Sequence, residues 1–322
     1  MGVSLTPLWE AVMALLNFKK RDSGADQPVT PEMEAFLKGY SIEVMPRTAA
    51  KVEDFRALLP AGTRVYIAHI DGTPIEDMVA TAKRIADEGF DVMPHFPARI
   101  IQDEATLGDW IARYQGEAGV KQALLLAGGV AEPKGDFHSS MQLLETGLFD
   151  KAGFTNLNVA GHPEPNLDID PKGGRANTYA ALDWKQEFSK RTDAEMALAT
   201  QFCFEAQPVI DWVNELSERG MNLPVHIGIA GPAKLQTMIK FAIACGVGPS
   251  LKVLQKRAKD VTKLLLPHEP NEILADLAAH KAANPDFNIT KVHFFPLGGI
   301  KTNATWAINN GGASAQPVNP QG

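Results

Sequence analysis

The chain has 322 residues, 45% of them apolar and 21% charged, which suffices for one large barrel or two ordinary domains around a sizeable core. A net charge of −7, with no tight Lys/Arg cluster, disfavours a nucleic-acid-binding surface. The two cysteines, Cys203 and Cys245, sit in apolar surroundings, which excludes a disulfide framework or a cysteine-rich metal centre and fits a reducing compartment such as the cytoplasm.

Residues 5–18 are apolar at helical spacing, interrupted by Glu10 and followed by Lys19-Lys20-Arg21. This run is too short to span a bilayer, and its charges follow the apolar stretch where a secretory signal carries them in front. It predicts a surface helix that packs on the body or on a partner subunit, so a homo-oligomer is an expected partner state and a membrane is not. Residues 22–31 form a polar linker. The expected division is an N-terminal helix and linker (1–39), a catalytic barrel (40–308) and a Gly/Asn/Pro-rich flexible tail (309–322).

From residue 40 onward, short apolar runs bounded by Gly, Pro, Asp or Asn alternate with amphipathic segments. Strands are predicted over 41–45, 65–70, 91–96, 122–127, 156–161, 197–204, 225–230 and 292–297. Helices are predicted over 75–88, 104–115, 140–152, 179–191, 208–219 and 233–245, with two more (251–265 and 271–283) elaborating the seventh connection. Eight unbroken βα units give an α/β chain folded as a (β/α)8 TIM barrel. A doubly wound sheet usually carries a Gly-x-Gly-x-x-Gly turn after its first strand, and none is present.

On such a barrel the site lies at the C-terminal ends of the strands. Strand one gives Glu43, a carboxylate in an apolar run. Burial raises such a group's pKa and makes it a general acid near neutral pH; Glu43 turned toward water, or neutralised by Arg47, is the other reading of the same stretch. The second strand ends His69-Ile70-Asp71, the third Pro94-His95-Phe96-Pro97, the fourth Ala127-Gly128-Gly129 and the fifth Gly161-His162-Pro163-Glu164-Pro165-Asn166. Strand six carries Thr200-Gln201-Phe202-Cys203-Phe204-Glu205; strands seven and eight end in Gly231 and in Leu297-Gly298-Gly299. His69, Asp71, His95 and His162 together also suit a metal-dependent barrel hydrolase, although the eighth strand offers no Asp to complete such a site. His226 begins strand seven, at the opposite end of the barrel.

With these residues in place, the chain resembles the methylenetetrahydrofolate reductase family from about residue 40 to residue 303. Ser41-Ile42-Glu43-Val44-Met45-Pro46 is similar to the family's Ser-Phe-Glu-Phe-Phe-Pro, and Pro94-His95-Phe96-Pro97 to its Pro-His-Leu-Thr. His162-Pro163-Glu164-Pro165-Asn166 resembles its Tyr-Pro-Glu-x-His, and Thr200-Gln201-Phe202-Cys203-Phe204-Glu205 its Thr-Gln-Phe-Phe-Phe-Asp. The resemblance implies hydride transfer from NAD(P)H through bound FAD to 5,10-methylenetetrahydrofolate, giving 5-methyltetrahydrofolate, with Glu43 as the general acid. It places His69, His95, Ala127, Gly128, Gly129 and Gly161, with His162, Asn166, Lys190 and Arg191, around the flavin and its phosphates. Gln201, Phe204, Leu297 and Lys301 fall on the folate side, and no metal is implied. The family's fourth strand ends Arg-Gly-Asp where this chain has Ala127-Gly128-Gly129, and its eighth-strand Arg is matched by Gly299. Direct hydride transfer from a nicotinamide to the folate therefore stands beside the FAD route.

Overall fold

We describe the protein from a computed structural model, which covers residues 29–244, 254–255 and 267–315. The predicted helix at 5–18, that at 251–265 apart from residues 254–255, and the last residues of the tail lie outside the described residues. Eight parallel strands, hydrogen-bonded in chain order, close into a barrel: β1 (Ser41–Val44), β2 (Arg64–Ile67), β3 (Asp91–Pro97), β4 (Gln122–Leu126), β5 (Asn156–Gly161), β6 (Glu195–Cys203), β7 (Val225–Ala230) and β8 (Ile289–Phe295). Pairing of Ser41 with His293 closes the seam between β1 and β8. The predicted (β/α)8 architecture is what the chain adopts.

The helices follow from the sequence pattern. In α3 (Ile75–Asp87), Met78, Val79, Ala82 and Ile85 recur at helical spacing and bury one face against the strands. In α4 (Glu104–Ala118), the Asp103 carboxylate accepts from Thr106 N at 2.7 Å and caps the first turn. The remaining long helices are α7 (Ala176–Phe188), α8 (Ala206–Glu218), α9 (Leu235–Ala244) and α10 (Asn271–Ala283). The segment expected as one helix over 140–152 is two, α5 (Ser140–Glu145) and α6 (Leu148–Lys151), because Gly147 takes a left-handed φ of 66° between them. Three short helices appear that apolar periodicity does not announce: α1 (Pro31–Leu37), capped by Thr30 and packed on α10; α2 (Pro46–Ala49), directly after β1; and α11 (Ile300–Asn309), after β8.

The principal core lies between strands and helices, where Ile42, Ile67, Phe96, Leu125, Val159 and Phe294 are among the fully buried residues. Alternation along each strand sends the other residues into the lumen. Its lower part holds a small apolar cluster of Tyr66, Met93, Leu124 and Ala199 beside a polar one, in which Asn158 Nδ2 donates to Tyr66 Oη at 2.6 Å and lies 3.2 Å from His226 Nδ1. His226 thus belongs to the floor of the barrel, as its place in strand seven predicts. Burial first, then the charges of Lys291 and Arg64, push it down to about 3.

Candidate active site

Glu43 points into the lumen with its side chain 18% exposed, between two imidazoles. His95 Nε2 from β3 lies 3.2 Å from Glu43 Oε2, and His293 Nε2 from β8 lies 3.7 Å from the same oxygen. Neither Nε2 makes a hydrogen bond of good geometry, so the coupling is mainly electrostatic. Behind His293, Ser41 Oγ stands 3.0 Å from Nδ1. Tyr66 covers one side of the His293 ring at 4.3 Å between centroids, and Phe295 meets it edge-on at 4.8 Å.

These partners reverse the expectation that burial lifts Glu43 into the range of a neutral acid. Burial does act to raise it, but the charge of His95 and the closeness of the His293 and His95 rings outweigh that effect and hold Glu43 down at about 2. His293 is itself pushed down by burial, an effect partly offset by Glu43.

Above this floor, β6 and β8 raise an aromatic wall. Phe202 lies 5.6 Å from Phe204 and 5.5 Å from Phe295, with Leu297 packed against them. The wall depends on a bulge in β6: Ala199 pairs with His226 but Phe202 with Gly228, one residue out of step. Thr200 Oγ1 takes the Gly228 amide at 2.8 Å across the irregularity. A Cβ at Gly228 would stand 2.4 Å from Thr200 O, so only glycine fits there. Gln201 sits half-buried at this bulge, beside the wall. Phe202 and Phe204 are buried and pack with Leu235 and Met238 of α9, so of the three rings only Phe295 is partly exposed.

Of the residues expected around a flavin, His95 alone is in contact with Glu43. His69 follows the end of β2, donates from Nε2 to Thr73 O at 3.0 Å and stacks on Trp110 of α4 at 4.8 Å. Gly161 packs in the outer layer, where a Cβ would meet Trp212 at 3.2 Å and Leu198 at 3.3 Å. Burial, reinforced by the charges of Lys185 and Arg175, pushes His162 down to about 3, and Arg175 holds the carbonyls of His162 and Pro163. Asn166 forms its own turn, accepting from Asp168 N at 2.9 Å. Ala127, Gly128 and Gly129 remain at the rim, with Ala127 O accepting from Arg99 N at 2.9 Å.

Lys190 and Arg191 lie away from Glu43. They follow the C-terminus of α7 and precede β6, which places them at the end of the barrel opposite Glu43. Lys190 pairs with Glu187, and Arg191 lies over the rings of Phe188 and Trp184 at 4.7 and 5.7 Å. Of the residues expected on a folate side, Phe204 and Leu297 belong to the aromatic wall, while Lys301 is exposed in the first turn of α11.

The loops after β2 to β5 are tied together over the rim. Lys134 Nζ reaches both oxygens of Asp71 at 2.6 and 2.7 Å; Arg99 donates to Val130 O at 3.0 Å, His138 O at 3.2 Å and Asp168 Oδ2 at 2.9 Å. These contacts engage Asp71, and no three His, Cys, Asp or Glu side chains among the described residues converge to hold a metal ion. A cavity of about 690 Å3 lies outside the lumen, between α2 and α3, with Arg47, Ile70 and Asp77 in its wall. Glu43, His95 and His293 are not among its lining residues.

Sequence reasoning missed His293, Ser41 and Tyr66. The signal for them is strand alternation: Ser41 shares a face with Glu43, and His293 shares one with Phe295.

No family model matches the chain. Among solved structures it is similar to an uncharacterised protein from Clostridium thermocellum, described as binding two copies of 5-methyl-5,6,7,8-tetrahydrofolic acid. That likeness has a TM-score of 0.51 and 11% identity, over 86% of this chain and 95% of that one, and supports the fold. A weaker likeness, with a TM-score of 0.35 and 11% identity over 76% of this chain and 77% of the other, is to 7,8-dihydropteroate synthase from Vibrio fischeri ES114. No helix among the described residues is long and apolar enough to cross a membrane.

Proposed function

We propose that the chain is a folate-linked oxidoreductase that moves a hydride between a reduced nicotinamide and the one-carbon unit of tetrahydrofolate. The observation that carries this reading is the Glu43–His95–His293 cluster set beneath the Phe202/Phe204/Phe295 wall. The barrel that binds 5-methyltetrahydrofolate in Clostridium thermocellum supports it as a structural parallel.

In the reducing direction the bond from the methylene carbon to N10 of 5,10-methylenetetrahydrofolate breaks, and its electron pair goes to N10 with a proton. The iminium carbon left on N5 accepts the hydride. The products are 5-methyltetrahydrofolate and the oxidised nicotinamide, with one proton taken up. The Glu43–His95 pair is suited to hold that proton. An ionised carboxylate also stabilises the cationic iminium carbon, a role that a neutral acid could not fill. The same groups serve the reverse reaction.

The residues present fit FAD poorly. Among those expected to hold it, Lys190 and Arg191 are at the far end of the barrel, Gly161 faces Trp212, and His162 and Asn166 are engaged within their own loop. The nearby rim cations Arg99, Lys134 and Arg175 are already committed to protein oxygens. The direct route is therefore the reading we adopt, with FAD as the alternative the test decides. We expect purified protein without a flavin spectrum, and folate-dependent NAD(P)H oxidation with no flavin added. One equivalent of co-purified FAD required for turnover would restore the flavin route. Absence of folate-dependent NAD(P)H oxidation, with or without added FAD, would refute the folate reading.

A further inference from the structure

The β1–β8 seam brings together three residues whose spacing has a chemical consequence. Ser41 and Glu43 lie two apart on one strand, so both face the lumen, and pairing of Ser41 with His293 sets the imidazole between hydroxyl and carboxylate. The ring is 1% exposed and held by Tyr66 and Phe295, which leaves it little freedom to turn. A neutral imidazole carries one N–H. Ser41 can give its proton to Nδ1 at 3.0 Å, the shorter of its two contacts; the other is Val292 O at 3.4 Å. That choice leaves the N–H on Nε2, facing Glu43.

We propose that His293, with its tautomer fixed by Ser41, is a positioning residue that locks the Glu43 carboxylate against His95. It touches no reacting atom. It acts through Glu43, keeping its Nε2–H edge turned toward Oε2 at 3.7 Å, where it favours the ionised carboxylate electrostatically rather than through a hydrogen bond. The other titratable groups facing the cluster are His95 from β3 and Tyr66 from β2. His226 on β7 and Arg64 on β2 lie deeper, and the charge of His226 couples to that of His293. Tyr66 is pushed up to about 12 by burial and stays neutral throughout the working range. Its steady ring therefore serves as packing for His293.

The catalytic consequence rests on the folate reading, but the positioning itself can be tested without substrate. Infrared difference spectra across a pH titration follow the Glu43 carboxyl, with Glu43→Gln identifying its band. In His293→Leu we expect Glu43 to take up its proton at a pH at least about one unit higher than in the wild type, a change of about 1.4 kcal/mol. His293→Gln, whose amide can return an N–H to the same place, should move the titration back toward the wild type. Ser41→Ala should shift it in the same direction as His293→Leu, by less. Where folate turnover is present, the pH profile of single-turnover hydride transfer should shift with the infrared titration. Unchanged titrations in all three variants, or a His293→Gln variant as displaced as His293→Leu, would overturn the proposal. If His293→Leu does not fold, Ser41→Ala and His293→Gln still decide it. An infrared shift in a protein with no folate turnover would uphold the positioning role and count only against the folate reading.

Discussion

Glu43→Gln keeps the shape of the carboxylate and removes its charge and its proton. If the Glu43–His95 pair supplies the proton to N10, single-turnover hydride transfer should fall by about 10²- to 10⁴-fold, while folate affinity, read by fluorescence quenching, changes by less than about tenfold. Equal loss of binding and chemistry would mean that Glu43 merely supports the fold. The carboxylate itself is legible from the sequence as a charge in an apolar strand. Its protonation state is not, because that depends on His95 and His293, which lie on strands 52 and 250 residues away. A lone histidine in an apolar run looks like core until the closing register between β1 and β8 is known. The distance of Lys190 and Arg191 from Glu43 has a simpler cause. Two adjacent cations resemble a phosphate site, but a pair that ends a helix and precedes a strand lies at the bottom of any βα barrel.

At the level of elements, α7 and α8 show what holds the β5 side of the barrel. Gly161 gives room for Trp212, the largest fully buried side chain. Gly161→Ala should cost about 1–3 kcal/mol through overpacking, measured as a lower denaturation midpoint. Lys185 of α7 is buried against β5 with its ammonium on Ala160 O at 2.9 Å, and burial pushes it down to about 8. Because the folded state releases this proton more readily than the unfolded chain, the unfolded chain binds more protons between about pH 8 and 10.5, and stability rises with pH across that window. Lys185→Met should stabilise the protein at neutral pH by about 1–3 kcal/mol and remove this rise. A variant less stable than wild type at pH 7 would mean that the ammonium is better compensated than its one carbonyl contact indicates. Strand and helix alternation was readable because each element carries its own period. The bulge in β6 and the split of α5 from α6 were not, since one depends on the neighbouring strand β7 and the other on the φ of a single glycine.

For the whole molecule, the buried imidazoles determine how the barrel meets acid. His162 and His226 are each pushed down to about 3 by burial, and His293 is lowered as well. An unfolded chain protonates these rings near pH 6.5, whereas the folded barrel keeps them neutral. The unfolded state therefore binds more protons below pH 6.5, and stability, complete above that pH, declines as the pH falls toward 3. Each ring contributes roughly 1.4 kcal/mol per pH unit inside its window. Glu43, lowered from 4.5 to about 2, adds a loss of the same sign that begins only below pH 4.5. Urea midpoints should fall steadily from pH 7 to pH 5, before any carboxylate of ordinary pKa titrates, and His226→Asn should reduce the slope by about one proton. A midpoint that stays flat over that range would mean that the lumen admits water and charge more freely than its packing implies. It would also undercut the imidazole-bounded setting on which the role proposed for Glu43 depends.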